Sequence, residues 1–516
     1  MFELSSRAMS LTPWLQDFSE SFVLSRWVFL RALGVVYACA FLSLTVQIRG
    51  LVGEQGILPL GEYLEDMRAR FGKRALRVLP TVFWWKASDR ALFTVCGIGL
   101  VASFCLILGF LELPALILLF LAYLSLTVAG QDFLSFQWDV LLIETGFVAI
   151  FLAPMEIWTG TRPALDVSPL ALFMVWWLIF RLMFESGAVK LSCGDETWRR
   201  LSSLEVHYQT QPLPNRMAWY FHWLPASFHR LGVALVLAIE ILLPFFIFAP
   251  APFRHLAAAG FIFLMLIIFL TGNYNFFNLL TAALCLPLLD DSVWRLMLPE
   301  GLVSQVDISL VSRPELTSFP WSWILHALLL GFILLVSLPQ VIEAAFPNYE
   351  RPALVKFLQR SIQPFHLVNG YGLFRHMTLT RPEIVIEGSM DGSHWRAYEF
   401  RYKPGDVGDP PRFAAPHQPR LDWQMWFAAL SSFYRTIWFQ RLILTLFEGS
   451  EPTQKLLKSS PFSQPPRYIR ALLYEYEFTS PAEKKATGHW WKRKALGLYA
   501  PVMMRRDTAK DEDAGA

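Results

Sequence analysis

Apolar runs of about 20 residues, separated by short polar links, fill the first two-thirds of the chain. A helix that long crosses the ~30 Å hydrocarbon layer of a bilayer. Clear runs cover 23–46, 91–110, 113–130, 170–187, 230–249, 256–272 and 321–343. Weaker ones cover 138–154, which opens on FQWD, and 274–289, which opens on NYNFFN. The pattern therefore predicts about nine spans, with tight helical hairpins at 91–130 and 256–289. After Phe346 charges recur every few residues and no run is long enough to span. EIVIEG and WRAYEFRY alternate apolar and polar positions around Asp391-Gly392, a turn dipeptide, which predicts a β-hairpin. Residues 421–447 read as helical, with Trp423, Trp426, Phe427 and Leu430 on one stripe.

The expected architecture is a polytopic α-helical membrane bundle followed by a soluble α+β C-terminal domain containing that hairpin. Its parts are 1–343, including an amphipathic loop at 47–90, then 344–507, then a disordered tail at 508–516. Composition agrees: of 516 residues 54% are hydrophobic and 17% charged, against about 25% charged in a soluble domain. A net charge of +3 is too small to argue for nucleic acid as a partner. The first 18 residues hold no short apolar stretch with a small-residue cleavage site, so the first span is expected to act as an uncleaved signal. Orientation is open at this level. Eight Lys/Arg in 47–90 would put that loop, and with nine spans the C-terminal domain, in the cytoplasm; yet GEYLEDMRARFGKRALRVL also reads as an interfacial helix.

Charge within apolar runs is costly and marks places to look for chemistry. Asp139 and Glu144 stand near the start of one run; the plain reading puts Asp139 at the interface and pairs Glu144 with an Arg on a neighbour. Arg181 and Glu185 are four apart and can pair on one helical face. Lys190 follows where that helix should leave the hydrocarbon, either snorkelling to the interface or desolvated in a cavity, where a neutral amine could act as a base. Asn273, Asn275 and Asn278 need partners on other helices or irregular backbone. The scattered histidines and cysteines show no metal-ligand spacing, and there is no phosphate-binding glycine loop or nucleophile elbow, so neither a metal nor a cofactor is expected.

Several long blocks resemble the lipase maturation factor family. They are VQIRGLVGEQGILP, FLSFQWDVLLIETGF, RLMFESGAVKLSCGDETW, HYQTQPLPN and GNYNFFNLLT in the membrane part, then NGYGLFRHMTLTRPEIVIEGSMDGSHWRAYEFRYKPG, APHQPRLDWQMWFAAL and PPRYIRALLYEYEFT. The resemblance implies a membrane protein that assists folding and assembly of secreted, lipase-like clients through a C-terminal domain on the lumenal or periplasmic face. We follow it for orientation, because large domains translocate largely regardless of charge. Membrane lipid is the other expected partner. The compact length points to a bacterial inner membrane, with the endoplasmic reticulum as the alternative. Arg420, Trp423, Trp426, Tyr468, Tyr474 and Tyr476 are candidates for client contact, although aromatics at such spacing are more often core. A shorter segment, SGAVKLSCGDETW, is similar to the region around the catalytic base of vitamin K-dependent γ-glutamyl carboxylases. That similarity implies a second reading: an embedded enzyme using Lys190 on a lipid-soluble substrate, tuned by Arg181 and Glu185. A non-enzymatic factor is favoured. Transport is a weaker third reading, with no inverted repeat behind it.

Overall fold

The computed structural model describes Phe18, residues 21–311 and residues 322–505. The tail at 508–516 and most of the N-terminal stretch read as uncleaved lie outside the described residues. Among the described residues seven helices are long and apolar enough to cross a membrane: α1 (Val23–Thr45), α3 (Asp89–Leu108), α4 (Glu112–Gly130), α6 (Pro169–Ser192), α8 (Ala226–Ile241, continued by a 3₁₀ turn to Phe248), α9 (Ala251–Thr271) and α11 (Ser322–Ala345). Between them lie α2 (Leu60–Phe71), α5 (Gln137–Ile150), α7 (Ser203–Thr210) and α10 (Phe277–Cys285). Leu328, Leu335 and Leu338 on α11, and Val101, Phe104 and Leu108 on α3, are exposed. Such apolar residues on the outside of a bundle suit a hydrocarbon solvent.

The two weaker sequence candidates are α5 and α10, with 14 and nine residues. At 1.5 Å per residue neither covers ~30 Å alone, yet both join the two faces of the bundle. α5 starts beside the C-terminal region, where the Trp138 indole donates to Gln418 Oε1 (2.6 Å). The chain then emerges at the α3–α4 turn, where Leu111 N donates to Ile157 O and Thr159 N to Gly109 O, each at 2.8 Å. α10 starts near Arg412 and leads to Asp291, whose carboxylate caps α1 through Leu24 N and Ser25 N. Among the described residues the bundle thus makes nine passes, seven long helices and two short ones embedded in protein. α2 is the amphipathic segment expected after α1; Leu60 and Leu64 are buried while its charged residues face outward.

Beyond α11 come α12 (Ala353–Ile362), the helices α13 (Arg420–Ala429) and α14 (Ile437–Glu448), and a four-stranded antiparallel sheet. Its strands are β1 (Pro382–Ser389), β2 (Arg396–Ala397), β3 (Tyr468–Phe478) and β4 (Trp491–Met504), in the order β2-β1-β3-β4. β1 and β2 form the expected hairpin, with Glu387 opposite Ala397 and Gly392 supplying the positive φ (80°) of its turn. The expected single helix over 421–447 is broken into α13 and α14 at 430–436. Sheet and helices rest on the same face of the bundle as the loop after α1, since Ser450 Oγ donates to Gln55 O (2.6 Å) and Arg441 pairs with Glu62 (2.8 Å). Gly50 belongs to that contact: a Cβ there would lie 2.4 Å from the Pro452 carbonyl.

Candidate functional site

Among the buried polar contacts that tie the C-terminal region into the bundle, three junctions hold the polar residues singled out in the apolar runs. At the first, Arg420 donates through Nη2 to Asp139 Oδ1 (2.8 Å), and through Nη1 to Asp139 Oδ2 (3.0 Å) and Phe133 O (2.7 Å). Tyr123 adds its hydroxyl to Asp139 Oδ1 (2.6 Å). Both charged side chains are inaccessible, at 1% and 0% exposure. Burial works against the guanidinium charge, but the Asp139 carboxylate outweighs it and holds the Arg420 pKa above its ordinary value. A fully buried pair needs this geometry, because two-point hydrogen bonding must offset the loss of water.

At the second junction Arg181 pairs with Glu144 and donates to Asn369 O (3.0 Å). Glu144 also accepts from Asn369 N (2.9 Å), Asn369 Nδ2 (2.8 Å) and the Tyr371 hydroxyl (2.7 Å). Glu185 accepts from Tyr371 N (2.7 Å), and Gln137 Oε1 from Gly372 N (2.9 Å). The segment Asn-Gly-Tyr-Gly, 369–372, is therefore held by polar groups of α5 and α6. The tyrosine phenol is kept protonated by burial and by the neighbouring Glu144 charge, both raising its pKa well above the usual value. At the third junction Asn273 donates to Leu213 O (3.1 Å) and Arg412 O (2.8 Å) and accepts from Ala414 N (2.7 Å). Asn275 accepts from Phe277 N (2.9 Å), while Asn278 is buried in α10.

Lys190 sits apart from all three. Its ammonium donates to both Glu240 oxygens (2.8 and 2.6 Å) and to Ser186 O (3.1 Å), which uses its three N–H groups. This pair forms one wall of an apolar cavity of about 110 Å³. His207 lines it too, at 3.2 Å from the Tyr274 hydroxyl, which donates to Gln211 Oε1 (3.0 Å). Burial first, and the Lys190 charge second, push the His207 imidazole down to about 4.

The lipase maturation factor transmembrane domain family matches residues 24–296, and the lipase maturation factor C-terminal domain family matches residues 367–501.

The chain belongs to the lipase maturation factor family. It is 37% identical to lipase maturation factor 2 of Rattus norvegicus, over 93% of this chain and 83% of that protein. It is 35% identical to lipase maturation factor 2 of Homo sapiens (94% and 83%) and 33% identical to lipase maturation factor 1 of Bos taurus (94% and 90%). No solved structure matches.

Several sequence expectations about this family member's site need correcting. Asp139 lies in the protein interior rather than at an interface, because Arg420 meets it there. Arg181 turns to Glu144 on the adjacent helix, so the expected Arg181–Glu185 pair is not made. Lys190 does not sit with Arg181 and Glu185 in one group: it hydrogen-bonds to Glu240 and Ser186 O instead. The client-contact set divides. Arg420, Trp423, Trp426 and Tyr476 are buried (1%, 3%, 8% and 0% exposed), for they pack the region onto the bundle and the sheet onto its helices. Tyr468 and Tyr474 are half-buried on β3. Sequence reasoning missed Glu240, although a lone carboxylate inside LVLAIEILLPFF signals a buried partner. It also missed Asn369 and Tyr371, whose setting gives no such signal.

Proposed function

We propose that this protein is a membrane-embedded maturation factor that assists folding and assembly of secreted, lipase-like proteins. Membership of the family supports that reading, and the named relatives cover nearly the whole chain. It is a multi-pass membrane protein. The named relatives are vertebrate, which lends no support to a bacterial inner membrane and agrees with the endoplasmic reticulum alternative.

One observation suggests where a client binds. β4 forms an edge of the sheet, and among the described residues no strand pairs with its outer side. From Lys492 to Leu498 every residue is exposed, including Leu496 (51%) and Leu498 (61%). An open edge offers backbone N–H and C=O groups to an extended segment of an unfinished client, and alternate side chains set selectivity. Lys492, Arg493 and Lys494 sit opposite Glu477, Tyr476 and Glu475 of β3; such charge discourages edge-to-edge aggregation while leaving the apolar half open. The buried Trp423 and Trp426 then serve as the footing of the sheet. A lipase-secretion assay in cells lacking their own maturation factor tests this. The intact chain should restore secreted lipase activity. Leu496→Asp with Leu498→Asp should lower it at least fivefold at equal membrane level; undiminished activity would remove β4 from the proposal.

A further inference from the structure

At the C-terminal ends of α6 and α11 lies a polar cavity of about 590 Å³, separate from the Lys190 cavity and from β4. It shares Gln340, Glu343 and Arg351 with an adjoining space of about 1040 Å³ lined by Lys356 and Arg360. Three side-chain atoms of its lining residues are buried and have no hydrogen-bond partner among the described residues: Glu185 Oε1, Gln340 Oε1 and Gln137 Nε2. Glu185 is 1% exposed and Gln340 9%. No cation among the described residues lies within ion-pair distance of Glu185; Arg181 hydrogen-bonds instead to Glu144 and Asn369 O. Glu343 is likewise taken by Arg351. Two amide or carboxyl oxygens and one amide nitrogen on the lining of one cavity thus lack hydrogen-bond partners among the described residues, one oxygen belonging to a carboxyl group with no ion pair. Buried polar atoms left in this state are expensive unless something arrives to satisfy them.

We propose that this cavity binds the headgroup of a phospholipid bearing a primary ammonium, of the phosphatidylethanolamine type. The ammonium supplies N–H donors and positive charge to Glu185 Oε1 and Gln340 Oε1. Gln137 Nε2 is a donor for the phosphate, and the exposed Arg375 on the cavity wall supplies its countercharge. The position selects a lipid over a free solute. α11 ends at Ala345, and next come Phe346 (68% exposed) and α12, which presents Leu354 (62%) and Phe357 (66%) outward. A short helix with exposed apolar residues, and with Lys356 and Arg360 turned to a polar cavity, fits the headgroup layer of a bilayer.

The test uses the full chain in nanodiscs of phosphatidylcholine containing equal minor fractions of phosphatidylethanolamine and phosphatidylglycerol. Lipid retained on extraction is counted by native mass spectrometry. Phosphatidylethanolamine should be enriched at least fivefold over phosphatidylglycerol. Glu185→Gln, which replaces the carboxyl group by an amide of the same shape, should abolish the enrichment. Gln340→Leu, an apolar change within a span, should reduce it and guards against misfolding of the first variant. Retained lipid matching the bulk ratio, enrichment of phosphatidylglycerol, or unchanged enrichment in both variants would overturn the proposal. So would displacement of the lipid by O-phosphoethanolamine at equal concentration, showing a solute site, or by a lysine-bearing peptide, showing a client site.

Discussion

Arg420 reaches from the C-terminal region into the bundle and grips Asp139 with both terminal guanidinium nitrogens, 281 residues away along the chain. The contact joins the two family-matched parts at a point no solvent reaches. It fastens α13, on which the sheet packs, to the membrane helices.

Removing one partner of this pair strands a charge in the interior. Arg420→Leu should lower stability by about 3–5 kcal/mol, read as a large fall in thermal midpoint in detergent. The double variant Asp139→Leu/Arg420→Leu should recover much of that loss, because a buried apolar pair of similar volume needs no solvation. A double variant no more stable than the single would show that packing around Arg420, rather than its charge, holds the junction.

Lys190 and Glu240 give a parallel prediction with a functional readout. Lys190→Ala leaves Glu240 unpaired and should destabilise the protein by about 3–5 kcal/mol. Lys190→Met/Glu240→Leu should regain stability and still support lipase secretion, since a structural pair can be replaced by an apolar one. Loss of secretion in a stable double variant would revive a chemical role for Lys190.

Acidification should destabilise the fold in a defined window. His207 is held at about 4 by burial and then Lys190; His417 is held at about 4 by burial and then Arg420 and Arg401. An unfolded histidine titrates near 6.5. From about pH 6.5 down to about 4 the unfolded chain therefore takes up protons that the folded chain refuses, and stability falls as pH falls. The thermal midpoint should drop across that range, and His207→Gln should make the drop shallower. An unchanged pH profile in that variant would place the sensitivity elsewhere.

Gly50 tests the seat of the C-terminal region on the loop after α1. A Cβ at this position would meet the Pro452 backbone at 2.4 Å, with the Leu456 side chain at 2.8 Å. Backbone cannot yield as a flexible side chain can, so Gly50→Val should lift the 450–456 segment and expose it to limited proteolysis. Wild-type protease resistance in that variant would show that the contact is dispensable.

The bundle was legible in the sequence because an apolar run of 18 or more residues has few other fates in water. The hairpin was legible because alternation and Asp391-Gly392 agreed. β4 was not: Gly497, Pro501 and Lys492–Lys494 all argue against a strand, and pairing with β3 overrides them. The site was half legible. Asp139, Glu144, Arg181, Glu185 and Lys190 stood out as charges in apolar runs, but their partners Arg420, Tyr371 and Glu240 lie in distant segments that only folding brings together. The same distance left Arg420 and Trp423 among the client-contact candidates, although core was the favoured reading for such aromatics: the Asp139 that meets Arg420 lies 281 residues away.

Secreted lipase activity from cells lacking their own maturation factor is the most direct test of the central claim. Expression of the intact chain should raise that activity well above the empty-vector level, and Leu496→Asp with Leu498→Asp at matched abundance should return it most of the way to background. Activity no higher with the intact chain than with the empty vector, at confirmed membrane expression, would contradict the assignment of this protein as a lipase maturation factor in function.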